Sequence, residues 1–154
     1  MKKLLIPLLF AVLSSGCAST ISSPVSTQVV EEKLEVPGTK LELFNKSLDW
    51  TAQHYNDSKS VIEVRDSERG KIIGRGVLLI ESSMGLRKDY YSYTLQIDVK
   101  DNKVRIKMNN IAPYAGVNGV SDPSYFMDEI IAELNSTAKL YFTSIKSDTD
   151  DNDW

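Results

Sequence analysis

The chain has 154 residues, of which 42% are hydrophobic and 25% are charged, with eight Gly, five Pro and one Cys. This composition excludes collagen-like, disulfide-stapled and strongly disordered proteins, and the length predicts one folded domain. A single Cys forms neither an internal disulfide nor a Cys-based metal cluster. The formal net charge of -3 leaves no basic excess to neutralise nucleic-acid phosphates. We therefore predict no metal, no cofactor and no nucleic-acid partner.

The N-terminus has the features of an export signal. Met1-Lys2-Lys3 is positively charged, and an apolar run from Leu4 to Leu13 follows it. A membrane-spanning helix needs about 20 apolar residues, so this run is too short to remain as an anchor. The pattern predicts a secretory signal peptide.

The segment after the apolar run resembles the lipobox of bacterial lipoproteins. Small residues lead directly into Cys17, the only Cys of the chain. The resemblance implies that residues 1–16 are a lipoprotein signal peptide and that the thiol of Cys17 is acylated. Ala18 follows the Cys, and a residue other than Asp there implies sorting to the outer membrane, facing the periplasm. An ordinary cleaved signal with a leftover thiol is the alternative.

An uncharged segment rich in Ser and Thr follows the Cys. Such a composition cannot bury enough apolar surface to fold alone, so residues 17–27 are predicted to be the acylated Cys and a flexible tether. Two or more acyl chains hold a protein on a bilayer, which makes the membrane the first predicted partner. A folded domain over residues 28–146 is expected to follow.

A strand and a helix open the predicted domain. Val30, Leu34 and Val36 alternate with charged residues, which predicts a strand. Thr39-Lys40-Leu41-Glu42 has the pattern of a capping box and begins a helix. Its predicted buried stripe follows helical spacing. Two further apolar residues, Leu43 and Trp50, fall almost opposite, which predicts either a helix covered on two sides or a second apolar face. The stripe consists of Leu41, Phe44, Leu48, Ala52 and Tyr55.

Four more strands are predicted to follow as hairpins. The first pair comprises Val61 to Arg65 and Lys71 to Glu81, joined by a turn at Asp66 to Gly70. The second pair turns at Asp101-Asn102. A two-residue loop there places apolar residues opposite one another and one acid opposite a base. The predicted pairs are Val99 with Val104, Ile97 with Ile106, Leu95 with Met108, and Asp98 with Arg105.

A second helix and a tail end the chain. Asp122-Pro123 supplies a cap and an N1 proline. The apolar face of this helix is predicted at Met127, Ile130, Ile131, Leu134, Ala138, Tyr141 and Ile145. Residues 147–154 are predicted to be an acidic disordered tail. We expect an α+β fold: a curved, antiparallel sheet in the order 1-5-4-3-2, with both helices on one face.

The stretch from Leu43 through Ile111 resembles a bacterial family of unknown function with a TATA-box-binding-protein-like (TBP-like) fold. The resemblance implies an α+β fold and no activity, because none is assigned to the family, and it does not imply DNA binding. The residues that support it are Leu43-Phe44-Asn45, Trp50, Val61-Ile62-Glu63, Asp66 through Gly70, Ile72 through Gly76, and Tyr93 through Arg105, with Asn102 at a turn position where the family favours Gly.

Two candidate binding surfaces follow from the predicted topology. The long connections and the tether meet at one end of the sheet, which predicts a membrane or partner contact there. Its candidate residues are Met84, Leu86, Arg87, Lys88, Tyr114 and Val117. A groove between helices and sheet would involve Trp50, Tyr91 and Tyr93. The only histidine, His54, has no second His or free Cys for a metal site or nucleophilic pair.

The sequence favours a lipid-anchored, non-enzymatic envelope protein that binds another, unidentified envelope component. One alternative is a small-molecule or lipid-binding module that uses the groove, and another is an inhibitor of an exogenous hydrolase. An enzyme is the interpretation with the least support, because no set of acid, base and nucleophile can be assembled from the motifs.

Overall fold

Five strands, two long helices and one short helical turn make up the part of the chain that the structure describes. The computed structural model describes residues 30–55, 61–81, 87–114 and 121–147. The elements are β1 (Val30–Glu35), α1 (Lys40–His54), β2 (Val61–Asp66), β3 (Lys71–Glu81), β4 (Lys88–Lys100), β5 (Lys103–Pro113), a 3₁₀ helix (Pro123–Phe126) and α2 (Met127–Ser147). The predicted signal peptide, the acylated Cys17, the tether and all of the tail beyond Ser147 lie outside the described residues.

The strands form one antiparallel sheet in the order β1-β5-β4-β3-β2, as predicted. The register between β4 and β5 is also confirmed, since Val99 faces Val104 and Ile97 faces Ile106. These apolar pairs all lie on the face that the helices cover, where they are buried. A slip of one residue would turn them to solvent, so burial itself holds the register.

The two ends of the sheet differ in how the strands are connected there. At one end, which we call the turn end, β2 joins β3 through residues 67–70, and β4 joins β5 through Asp101-Asn102. At the other, β3 ends, β4 begins and β5 ends, whereas β1 begins at Val30, opposite the middle of β5. We call this second end the tether end, because β1 points away from it and the predicted lipid anchor precedes β1 in the sequence.

At the turn end, the hairpin between β4 and β5 holds the start of α1. Asn102 has a φ of 58°, which fits the left-handed conformation that a tight turn requires. Its side-chain Oδ1 accepts a hydrogen bond from the backbone N–H of Gly38 at 3.1 Å. The carboxylate of Asp101 accepts another from the backbone N–H of Lys40 at 2.7 Å. The turn therefore fixes the position of the helix as well as the register of the hairpin.

Helix α1 begins with the predicted capping box, in which Thr39 and Glu42 bond to each other's backbone N–H groups. Its buried face differs from the predicted stripe. The buried residues are Leu43, Phe44, Ser47, Trp50 and Thr51, whereas Leu41 is 59% exposed. Of the predicted stripe, Phe44 is buried and Leu48 and Tyr55 are partly buried against the core, whereas Leu41 and Ala52 are exposed. The buried face is turned towards Leu43 and Trp50, and it includes two polar residues that apolar spacing does not indicate.

Helix α2 follows the prediction more closely. Asp122 caps the preceding 3₁₀ helix through a side-chain bond to the N–H of Ser124. The buried residues of α2 all belong to the predicted face, and they are Ile130, Leu134, Ala138, Tyr141 and Ile145. Tyr141 joins the two helices, because its hydroxyl lies 2.8 Å from that of Ser47. Both buried hydroxyls are thus satisfied.

The face of the sheet away from the helices carries ion pairs. Arg105 lies at their centre, with Nη2 2.7 Å from Asp98 Oδ2 and Nη1 3.5 Å from Glu31 Oε1. The predicted cross-strand pair of Asp98 and Arg105 is therefore present. Lys71 Nζ lies 3.8 Å from the other oxygen of Asp98. Asp98 thus bridges basic side chains of β3 and β5 on this face.

Candidate functional site

The tether end contains three of the six residues predicted to contact a membrane or partner. Arg87, Lys88 and Tyr114 are described there, and the N–H of Tyr114 donates to the carbonyl of Tyr90 at 2.9 Å. Residues 82–86 and 115–120 lie outside the described ranges, and with them Met84, Leu86 and Val117. The structure thus brings together the described members of the predicted surface.

Both predicted basic residues at the tether end make ion pairs. Arg87 Nε lies 2.9 Å from Asp89 Oδ2, and Lys88 Nζ lies 2.9 Å from Glu81 Oε1. The Glu81 carboxylate raises the pKa of Lys88. Each charge is already matched by an acid, so the pair attracts lipid phosphates less than two free cations would.

Asp89 ties the start of β4 to the segment that precedes the 3₁₀ helix. Its side chain is almost fully buried, and Oδ1 accepts a hydrogen bond from the backbone N–H of Ser121 at 3.1 Å. A buried carboxylate is stable only when it is paired and hydrogen-bonded. Asp89 therefore has a structural role that fixes the 3₁₀ helix at the tether end.

Tyr125 is an exposed aromatic residue at the tether end that the sequence analysis missed. It lies in the 3₁₀ helix, and 78% of it is exposed. Tyrosine has an apolar ring and a polar tip, which suits it to protein interfaces and to the boundary between lipid and water. The signal that could have identified it is its position between the Asp122-Pro123 cap and the first buried residue of α2.

The predicted groove residues separate into two groups. Trp50 and Tyr91 are buried in the core, where Trp50 packs edge-on against Tyr141. The hydroxyl of Tyr91 has no hydrogen-bond partner among the described residues, and burial raises the pKa of Tyr91 to about 12. Tyr93, in contrast, lines a cavity between the helices and the sheet, where the groove was predicted.

This cavity has a volume of about 240 Å³ and lies between the end of α1, strands β3 and β4, and α2. We call it the tyrosine cavity. Its lining residues are His54, Tyr55, Val77, Leu78, Tyr93, Glu133, Leu134 and Thr137.

Two tyrosines form the polar centre of the tyrosine cavity. The hydroxyls of Tyr55 and Tyr93 lie 2.7 Å apart and share a hydrogen bond. Burial raises the pKa of Tyr93 to about 12 and that of Tyr55 well above its usual value, so both stay protonated at neutral pH. Gly76 makes the contact feasible, because a Cβ there would lie 2.3 Å from the ring of Tyr93. The sequence alone does not connect Gly76 with Tyr55.

His54 forms one side of the same cavity. Its ring stacks on Trp50 with a centroid distance of 4.7 Å and an interplanar angle of 11°. Burial lowers the pKa of His54, so the ring is neutral at pH 7. Its pairing with an aromatic residue, and not with an acid or nucleophile, does not resemble a catalytic base.

The described residues include neither a metal-binding cluster nor a membrane-spanning helix. In that part of the chain, no three His, Cys, Asp or Glu side chains are grouped as a metal site would require. No described helix has the length and apolar character needed to cross a membrane.

Comparisons with known proteins identify the fold. The family model of DUF4468, a domain of unknown function with TBP-like fold, matches residues 31–113. A TBP-like protein from Parabacteroides distasonis ATCC 8503 is 16% identical with a TM-score of 0.60, and the match covers 76% of this chain and 91% of that one. A DUF4468 family protein from Bacteroides ovatus ATCC 8483 is 18% identical with a TM-score of 0.46, over 54% and 53% of the two chains. No curated protein matches the sequence.

Proposed function

The chain belongs to the DUF4468 family of domains with a TBP-like fold, and we propose that it is a lipid-anchored protein of the bacterial envelope. In this proposal, acylated Cys17 holds the domain at the outer membrane on the periplasmic side. The folded domain then binds another envelope component without catalysing a reaction.

The observation that supports the proposal best is where the chain enters the sheet. Strand β1 starts at Val30, which pairs with Met108 of β5. Val30 lies halfway along β5, and β1 runs from there to the turn end, so the proposal has the chain from Cys17 arrive from the side of the tether end, where Tyr125 is exposed. Twelve residues lie between Cys17 and Val30. A flexible segment of about that length spans roughly 20 Å on average, which keeps the tether end within reach of the bilayer.

The proposal includes no catalysis because the side chains that could act as acid or base are already held by neighbouring groups or have unsuitable pKa values. His54 is stacked on Trp50, and Asp89 is engaged by Arg87 and Ser121. The tyrosines of the cavity have raised pKa values, which makes them poor bases at neutral pH. In this proposal, His54 and Asp89 stabilise the fold, and the tyrosines are available to contact a ligand.

A small-molecule ligand is our second candidate function, and the tyrosine cavity favours it. A binding cavity combines apolar walls with a few polar groups that fix orientation. Leu78 and Leu134 supply the apolar part here, and the paired hydroxyls supply the polar part. The two functions are compatible, because the cavity and the tether end use different residues.

Fatty-acid labelling in cells tests the anchoring. The parent protein is expected to incorporate labelled palmitate and to fractionate with membranes. A Cys17→Ala variant is expected to lose both properties, because no other thiol exists in the chain. A Ser19→Ala variant is the matched control, since it changes the same segment and keeps the thiol. Equal labelling of the parent and Cys17→Ala would refute the anchor.

A further inference from the structure

The size of the tyrosine cavity limits what it can hold. A volume of about 240 Å³ equals the liquid volume of about eight water molecules. It is smaller than the pockets that take drug-sized ligands, which begin at about 300 Å³. A molecule with one ring, or an aliphatic body of that size, would fill it.

The hydroxyl pair leaves hydrogen-bonding capacity for a ligand. A tyrosine hydroxyl has one donor and two acceptor positions. The bond between Tyr55 and Tyr93 uses one donor and one acceptor. One O–H and several lone pairs therefore remain, and a ligand N–H group can donate to the lone pairs. The ring of Tyr93 is held in place by the space over Gly76, so this polar centre is formed before a ligand arrives.

The charge around the cavity favours a cation. Glu133 is the one charged residue in its lining, since burial lowers the pKa of His54 and keeps that ring neutral. Among the described residues, the Glu133 carboxylate makes no ion pair, and neither does that of Glu129 one turn earlier on α2. Two exposed carboxylates on neighbouring turns attract positive charge and repel anions. The π-faces of tyrosine rings also attract cations.

We propose that the tyrosine cavity binds a small organic amine in its cationic form. The ammonium group lies towards Glu133, and the body of the ligand lies against the rings of Tyr55 and Tyr93 and the side chain of Leu134. The inference deepens the second candidate function by naming its ligand class, and it does not depend on the lipid anchor.

Three probes of similar size but different charge test whether the cavity selects its ligand by charge or by shape. Benzylamine, benzyl alcohol and benzoate are added to the folded domain, residues 28–154 with no acyl chain, and binding is followed by NMR. The single histidine gives one set of imidazole signals at the cavity wall. Benzylamine is expected to shift the signals of His54, Tyr55 and Tyr93 and to bind more tightly than benzyl alcohol. Benzoate is expected to leave them in place.

Variants then assign the contacts. Glu133→Gln is expected to weaken benzylamine binding about fivefold, the effect of losing one solvent-screened charge partner. Asp128→Asn removes the same charge from the same helix outside the cavity, and should leave binding unchanged. Tyr55→Phe should weaken binding, whereas Tyr91→Phe removes a buried hydroxyl elsewhere in the core and should not.

The outcomes decide between this proposal and its alternatives. Equal binding of all three probes, or equal weakening by Glu133→Gln and Asp128→Asn, would overturn the charge selection. Absence of binding by a domain whose NMR spectrum is folded would overturn the site. Neither result would affect the palmitate labelling, so failure of this inference and failure of the anchor remain distinguishable.

Discussion

Polar side chains inside the core determine how α1 meets its neighbours. The hydroxyl of Ser47 donates to the carbonyl of Leu43 at 2.6 Å, and that of Thr51 donates to the carbonyl of Ser47 at 2.6 Å. Buried hydroxyls with partners cost little free energy. Small polar residues can therefore occupy the buried face, which lets α1 lie close to Tyr141 of α2.

The stability of the domain is expected to depend on the protonation of His54. Burial lowers its pKa in the folded state, below the value of about 6.5 that it has when unfolded. The unfolded chain then binds more protons between the two values, so the free energy of unfolding rises with pH in that window. This contribution is complete above about pH 6.5 and is lost as the pH falls through the folded pKa.

Urea unfolding at several pH values checks this dependence, and an NMR titration of the imidazole gives the folded pKa directly. His54→Phe keeps an aromatic ring against Trp50 and removes the titration. The variant should lose less stability than the parent when the pH falls from 7.5 to 5.5. An imidazole that titrates at or above pH 6.5 would contradict the prediction.

At the scale of elements, the turn between β4 and β5 joins three parts of the fold. Asn102 bonds to Gly38 through its side chain and its backbone N–H, and Gly70 accepts from the N–H of Val99 at 2.7 Å. The loop before α1, the turn before β3 and the hairpin thus meet at one place. A change at Asn102 should affect all three.

Substitutions at Asn102 separate its two roles. Asn102→Ala loses the side-chain hydrogen bond, about 1 kcal/mol, and puts a poorly suited residue at positive φ, about 1 kcal/mol more. Asn102→Gly loses only the bond and relieves the backbone. Urea unfolding should therefore show Ala to be more destabilising than Gly. Equal losses would mean that the backbone conformation contributes nothing.

Some elements could be predicted from the sequence because their patterns were local. The register of β4 and β5 follows from strict alternation on both strands and a two-residue turn, and the capping box at Thr39 needs four consecutive residues. Apolar spacing predicted the buried face of α1 only in part, because Ser47 and Thr51 lie on that face and satisfy their hydroxyls within the helix. The tyrosine cavity depends on Tyr55, Gly76 and Tyr93, which meet only after the sheet and helix have packed.

For the whole molecule, the two ends of the sheet have different surroundings in the proposed arrangement. The tether end carries exposed Tyr125 and receives the chain from Cys17, whereas the turn end is polar and lies at the far ends of β3 and β4. Strand β4 has 13 residues, which gives about 40 Å between the two ends. That distance exceeds the average reach of the tether, so the ends are expected to meet different neighbours.

Photo-crosslinking in intact cells checks this orientation. A photoreactive residue at Tyr125 is expected to crosslink to lipid or to a membrane protein. The same residue at Arg69, which is well exposed at the turn end, is expected to give little of that product. In the Cys17→Ala background, the crosslink from position 125 should disappear. Equal yields from positions 69 and 125 would contradict the proposed orientation.

The placement of β1 has a mechanical consequence for an anchored protein. The chain enters at Val30, and β1 pairs antiparallel with β5 from Val30 to Glu35. If a bound partner pulls on the body while the lipid holds the N-terminus, the tension runs along the strand. Inter-strand hydrogen bonds lie perpendicular to that direction, so the load is shared by shear across all of them and does not unzip them one after another. The strand nearest the anchor is thus oriented to resist pulling forces.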